Sequence, residues 1–178
     1  MFENKNEKAL LSFIEDYAIP RFKEGRFTYL NVLYKAFVIN TAVEYHKEIA
    51  KIFKELLSGI SVKKLIRLSE NCRAYYYSYE DYEITSYKVE WKEIRFEREQ
   101  FSYLTDEEYI AILRLGTFHE NGYFRQMCME CLEGYENNLS FYILRINDWV
   151  TQIRSLAYEL SMAEIDKDDA LVLLLHCL

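Results

Sequence analysis

Two stretches of this chain share a phrase and a spacing. Residues 112–126 read ILRLGTFHENGYFRQ and residues 143–154 read ILRINDWVTQIR, starting 31 residues apart. Each has Ile-Leu-Arg and an apolar residue, then a turn, then a second arginine. Aligned on Arg125 and Arg154, which are 29 residues apart, the following segments fall into register. Phe124, Cys128, Cys131 and Tyr135 stand against Ile153, Ala157, Leu160 and Glu164. All but the last position are apolar in both copies, at a spacing that gathers them on one helix face. Tyr123, Gln126 and Glu130 stand against Gln152, Ser155 and Glu159, a mainly polar face in both. A helix pair of this size is too small to bury its own apolar side. Tandem pairs therefore predict an all-α architecture in which neighbours cover one another.

Glycine and proline punctuate the rest. Pro20 is the only proline, and Gly25, Gly59, Gly116, Gly122 and Gly134 are the five glycines, each between segments of helical apolar spacing. Ala9, Leu10, Phe13, Ile14 and Tyr17 predict a first helix ending near Pro20. Leu30, Leu33 and Phe37 predict a second from about Phe27. Thr41 and Glu44 have capping-box spacing and predict a third helix running to Gly59. Val62, Leu65, Ile66, Ser69 and Cys72 predict one side of a fourth. Thr105 and Glu108 repeat the capping-box spacing and predict a helix to Gly116, its partner running from about Gly122 to Gly134. A second pair is expected over about 138–146 and 149–164. A last apolar helix, DDALVLLLHCL, is expected behind Asp168 and Asp169.

Between these halves lies AYYYSYEDYEITSYKVEWKEIRFEREQ, with six tyrosines between positions 75 and 87 and neither glycine nor proline. Tyr87, Val89 and Trp91 alternate as in a strand, whereas Trp91, Ile94, Arg98 and Phe101 fit a helix. The reading adopted is a helix running into the tyrosines, an irregular or hairpin-like excursion around 75–100, and then another helix. One domain over 1–178 is expected: N-terminal helices over 1–77, the Tyr-rich irregular segment over 78–104, and helix pairs over 105–178.

At 51% hydrophobic residues the chain can build a core. No leader-like opening and no apolar run of membrane length occur, so a cytoplasmic protein without a membrane span is expected. The net charge of −7 is uneven. Residues 1–100 carry 17 Lys and Arg against 16 Asp and Glu, and residues 101–178 carry 5 against 13. The second half would repel a phosphate backbone, which disfavours nucleic acid and favours a basic protein partner.

On the residues quoted above, the chain resembles the HEAT-repeat family of helix-pair solenoids. In that family's pattern a turn Asp stands six positions before an Arg that follows an apolar residue at the opening of the second helix. Asp148, Ile153 and Arg154 fit. The earlier copy departs, with His119 six positions before Arg125 and a turn two residues longer. The resemblance covers 105–178 and extends weakly to 41–77, where SVKK would open another second helix. It implies an α–α superhelix in which Arg125, Asp148, Trp149 and Arg154 join successive repeats rather than performing chemistry. The outward second-helix ridge of Tyr123, Gln126, Glu130, Gln152, Ser155 and Glu159 would then meet the partner.

Other constellations read as structure. Cys128 and Cys131 have redox-motif spacing but sit mid-helix at apolar positions, and Cys72 and Cys177 are solitary, so buried thiols are expected, with neither metal nor cofactor. His46, His119 and His176 are scattered. Gly-rich phosphate loops, Gly-x-Ser-x-Gly and His-Glu-x-x-His are absent from the sequence. Carboxylate pairs such as Asp106/Glu107 suit helix starts. A non-catalytic interaction module is the leading expectation. The tyrosines Tyr75, Tyr76, Tyr77, Tyr79 and Tyr82 form either a second binding surface or an aromatic cap on the solenoid. Two alternatives stay open. One is a DNA-binding protein of the HEAT-like alkylpurine glycosylase type, for which the basic stretch from Lys47 to Arg73 would serve. The other is a bilin-lyase-like enzyme with HEAT-like repeats. The apolar C-terminal segment raises the expectation of self-association, or of a longer repeat array.

Overall fold

The computed structural model describes residues 3–39, 42–72 and 87–167. The described residues are helical and irregular, with no strand among them. The helices are α1 (Glu3–Phe13), α2 (Ile19–Lys23), α3 (Leu30–Ala36), α4 (Val43–Leu57), α5 (Val62–Asn71), α6 (Asp106–Gly116), α7 (Gly122–Leu132), α8 (Leu139–Ile143) and α9 (Thr151–Lys167).

Pro20 does not end the first helix. A π-helical turn, Ile14–Ala18, links α1 to α2, closed by the Ile19 N–H on the Ile14 carbonyl. A regular α-turn would drive the proline ring against the carbonyl four residues back; the wider turn carries the chain past it. The helix stops instead at Gly25, whose φ of +90° suits glycine. Leu10, Ile14, Ala18 and Phe22 are buried along its length.

The capping box expected at Thr41 and Glu44 lies partly outside the described residues. Ala42 occupies the N-cap of α4 with no side-chain bond, and Thr41 lies outside the described residues. In α5 the cap is Ser61, which accepts from the Lys64 N–H at 3.4 Å. Its buried face is narrower than the spacing implied: Leu65, Leu68, Ser69 and Cys72 are inside, while Val62 and Ile66 face water. The helix expected after the tyrosines reduces to a 3-10 turn, Arg98–Phe101. Its neighbourhood is held by tertiary contacts. Trp91 packs on His119 and Phe124, Phe96 is buried, and Arg98 reaches Asp106 as well as the carbonyls of Phe101 and Leu104.

From Thr105 onward the expected pairs are present. Thr105 Oγ1 accepts from the Glu108 N–H at 3.3 Å and Glu108 accepts from the Thr105 N–H at 2.9 Å, a complete capping box. Helix α6 packs on both α4 and α7, α9 on both α8 and α7. Tyr34 ties the N-terminal helices to this half: its hydroxyl donates to the Ile112 carbonyl at 2.5 Å, and its ring meets Phe53, His119 and Phe124. Among the described residues no helix is long and apolar enough to cross a membrane.

Candidate functional site

The two joints share a geometry that the side chains alone do not reveal. Arg125 Nη1 donates to the His119 carbonyl at 2.8 Å, and Arg154 Nη1 donates to the Asp148 carbonyl at 2.7 Å, in each case six residues back. Asp148 Oδ1 accepts from the Val150 N–H at 3.0 Å, and His119 Nδ1 accepts from the Asn121 N–H at 3.0 Å, in each case two residues on. His119 therefore fills the acceptor role of the aspartate in the earlier joint. That assigns its ring proton to Nε2.

Asp148 does more than its counterpart. Its Oδ1 accepts from Arg125 Nη2 at 2.9 Å, linking α7 to the joint of the next pair. Its Oδ2 lies 3.6 Å from Arg145 Nη1. All three side chains are buried. Arg145 also donates to the Ser69 hydroxyl on α5 and stacks its guanidinium over Phe118. One carboxylate thus serves two guanidinium groups and a backbone N–H, and none of these groups is presented to solvent for acid–base work.

Arg114, the counterpart of Arg145 in the repeated phrase, also folds inward. It donates to Asn138 Oδ1 at 2.8 Å and to the carbonyls of Glu136 and Asn137, with its guanidinium over Phe141. The exception in the apolar register also finds a use. Glu164 accepts the N–H of Asn138, the N-cap of α8, at 2.7 Å. Neither Arg145 nor Asn138 stood out in the sequence; the repeated Ile-Leu-Arg was the only signal, and it gave no partner.

Trp149 is 73% exposed and precedes the first residue of α9, with Arg125 Cζ 5.8 Å from its ring centroid. Tyr123, Glu130, Gln152, Ser155 and Glu159 are exposed on the outer faces of α7 and α9, and Gln126 is half-buried beside them, donating to Glu130 at 2.8 Å. Tyr75, Tyr76, Tyr77, Tyr79 and Tyr82 lie outside the described residues, as does the apolar C-terminal segment from Asp168.

The other sequence candidates are occupied by packing. Cys128 is a free, fully buried thiol, and Cys131 is half-buried and free. Burial pushes the Cys128 thiol well above its ordinary pKa, opposite to what a redox thiolate needs. His46 lines a cleft of about 430 Å³ with Phe37, Phe96, Phe101 and Tyr103. Its Nε2 faces the Ala36 carbonyl at 2.8 Å, so Nδ1 accepts the Tyr103 O–H at 2.5 Å, and both nitrogens are engaged. Burial lowers the His46 pKa. Burial, helped by the charges of Arg125 and Lys35, holds His119 down to about 3. Among the described residues no group of three His, Cys, Asp or Glu is placed to hold a metal ion. Of the basic stretch, Lys47, Lys51 and Lys54 pair with Glu44, Glu55 and Glu107.

No protein-family model, no curated protein and no solved structure matches the chain. The functional reading therefore rests on the chain itself.

Proposed function

We propose that this chain is a non-catalytic, HEAT-like helix-pair protein of the cytoplasm that binds a basic segment of a partner protein on the ridge formed by α7 and α9. One observation carries this reading. Of the four arginines among the described residues beyond 100, Arg125 and Arg145 are buried, and Arg114 and Arg154, half-buried, are engaged by carbonyl and side-chain oxygens of their own turns and neighbours. Glu130 and Glu159 face outward on α7 and α9, whose arginines Arg125 and Arg154 are already engaged, so the exposed charge of these two faces is acidic. Such a surface attracts and orients basic chains. The exposed rings of Tyr123 and Trp149, near the starts of α7 and α9, add flat faces suited to arginine or lysine side chains. The matching Arg-to-carbonyl bonds support the reading of two stacked repeats, and Arg125–Asp148 supports a joint between them.

A fluorescence-anisotropy titration with a Lys-rich peptide tests the ridge. Glu130→Lys/Glu159→Lys is expected to weaken binding by at least about tenfold, or about 1.4 kcal/mol. Glu24→Lys/Glu90→Lys, an equal charge change at exposed sites elsewhere, is expected to stay within about twofold of wild type, because only short-range pairs survive salt screening. Equal loss in both variants would mean that the peptide senses net charge alone.

A further inference from the structure

One helix on the opposite side of the charge distribution matches the ridge. The outer face of α5 exposes Val62 at 52% and Ile66 at 40%, one turn apart, and beside them Lys63 and Arg67, also one turn apart. No carboxylate among the described residues pairs with Lys63 or Arg67, in contrast to the paired lysines of α4. The outer face of α9 has the complementary pattern. Tyr158 is 58% exposed and Met162 41%, again one turn apart, and the neighbouring row is Ser155 and Glu159. Glu130 is exposed on α7, which packs against α9.

Both faces therefore carry an apolar row about 6 Å long with a polar row beside it, charged at both positions on α5 (Lys63 and Arg67) and at Glu159 on α9. Helix handedness then fixes the only orientation that matches both. In an antiparallel apposition the two charged rows fall on the same flank, whereas a parallel one puts them on opposite flanks. We propose that the basic partner of the ridge is a second copy of this chain, with α5 of one copy docking antiparallel on α9 of the next. Val62 and Ile66 meet Tyr158 and Met162, while Lys63 and Arg67 meet Glu159 and Glu130. The two faces differ, so the contact is head-to-tail, and each docked copy leaves one free face at either end. The inference rests on the ridge being the working surface and adds the identity of its partner.

Sedimentation velocity over rising concentration tests it with the intact chain. Wild type is expected to gain mass beyond a single chain. Lys63→Glu/Arg67→Glu and Glu130→Lys/Glu159→Lys are each expected to stay single. An equimolar mixture of the two is expected to reach about twice the single-chain mass or more, because each supplies a face that complements the other's. All four positions are exposed, and an unchanged helical circular-dichroism signal verifies the fold; Lys63→Ala/Arg67→Ala serves if the reversal does not fold. A wild type that stays single at every concentration overturns the proposal, as do variants that associate like wild type or a mixture that remains two single species. If the chain stays single yet still binds the Lys-rich peptide through Glu130 and Glu159, self-docking fails and the ridge reading stands. Loss of both removes both.

Discussion

At position 119 a histidine accepts the turn hydrogen bond that an aspartate accepts at 148. The substitution fits its surroundings. The Asp148 carboxylate pairs with Arg125 and Arg145, whereas the His119 ring packs against Tyr34, Trp91 and Phe124, and its neutral form suits the nearby charges of Arg125 and Lys35. The enclosure makes the chain acid-sensitive. Unfolded, His119 takes a proton below about pH 6.5; folded, it stays neutral down to about 3. The unfolded state therefore binds the extra proton between these values, and stability, complete above the upper one, is lost as pH falls through the window, by up to about 1.4 kcal/mol per pH unit. His46, also lowered, contributes with the same sign. His119→Asn keeps a turn acceptor and removes the titration. Denaturant unfolding at pH 7 and pH 5 should show a smaller pH-dependent loss in this variant than in wild type, and equal losses would exclude His119 as the source. The sequence showed that position 119 stood where the repeat wants an acceptor. It could not show that the imidazole would supply one, because that depends on which nitrogen faces the turn.

At the scale of elements, α6 and α7 touch through the smallest possible contact. A Cβ added at Gly116 would sit 2.3 Å from the buried Sγ of Cys128 and 3.2 Å from its Cβ. Gly116→Ala is therefore expected to cost about 1–3 kcal/mol by overpacking. Adding Cys128→Ala removes the sulfur and should recover part of that loss, giving a coupling of about 1 kcal/mol in a double-mutant cycle followed by chemical unfolding. Strict additivity would mean that the helices shift apart freely. Elements whose determinants are local were legible in the sequence: Thr105 and Glu108 specify their helix start within one turn, and the apolar register of α7 and α9 follows from helix periodicity. Elements set by distant partners were not. The segment around Trp91 to Phe101 takes its course from contacts with His119, Phe124 and Asp106, and Val62 and Ile66 look like core residues until the neighbours of α5 are known. Pro20 misled because a single widened turn cancels its effect.

At the scale of the molecule, charge is sorted by depth only in its second half, where Arg125 and Arg145 are buried and Glu130 and Glu159 exposed. Guanidinium groups brace the joints from within, carboxylates dominate the outside of α7 and α9, and unpaired cations remain on α5. This arrangement assigns Asp148, Trp149, Arg125 and Arg154 different roles from those that an Asp-Trp-Arg constellation invites. Asp148 and Arg125 are sealed, the half-buried Arg154 caps its own turn, and Trp149 is largely exposed. On the proposed function, the Arg125–Asp148–Arg145 cluster holds the helix pairs together and recognition happens elsewhere. Equilibrium unfolding of Asp148→Asn, with peptide binding measured where the variant is still folded, tests it most directly. Removing the carboxylate charge that faces both buried guanidinium groups should cost about 3–5 kcal/mol and leave the affinity of the folded protein for a Lys-rich peptide within about twofold. A variant as stable as wild type that no longer binds would contradict the account and make Asp148 part of the working site.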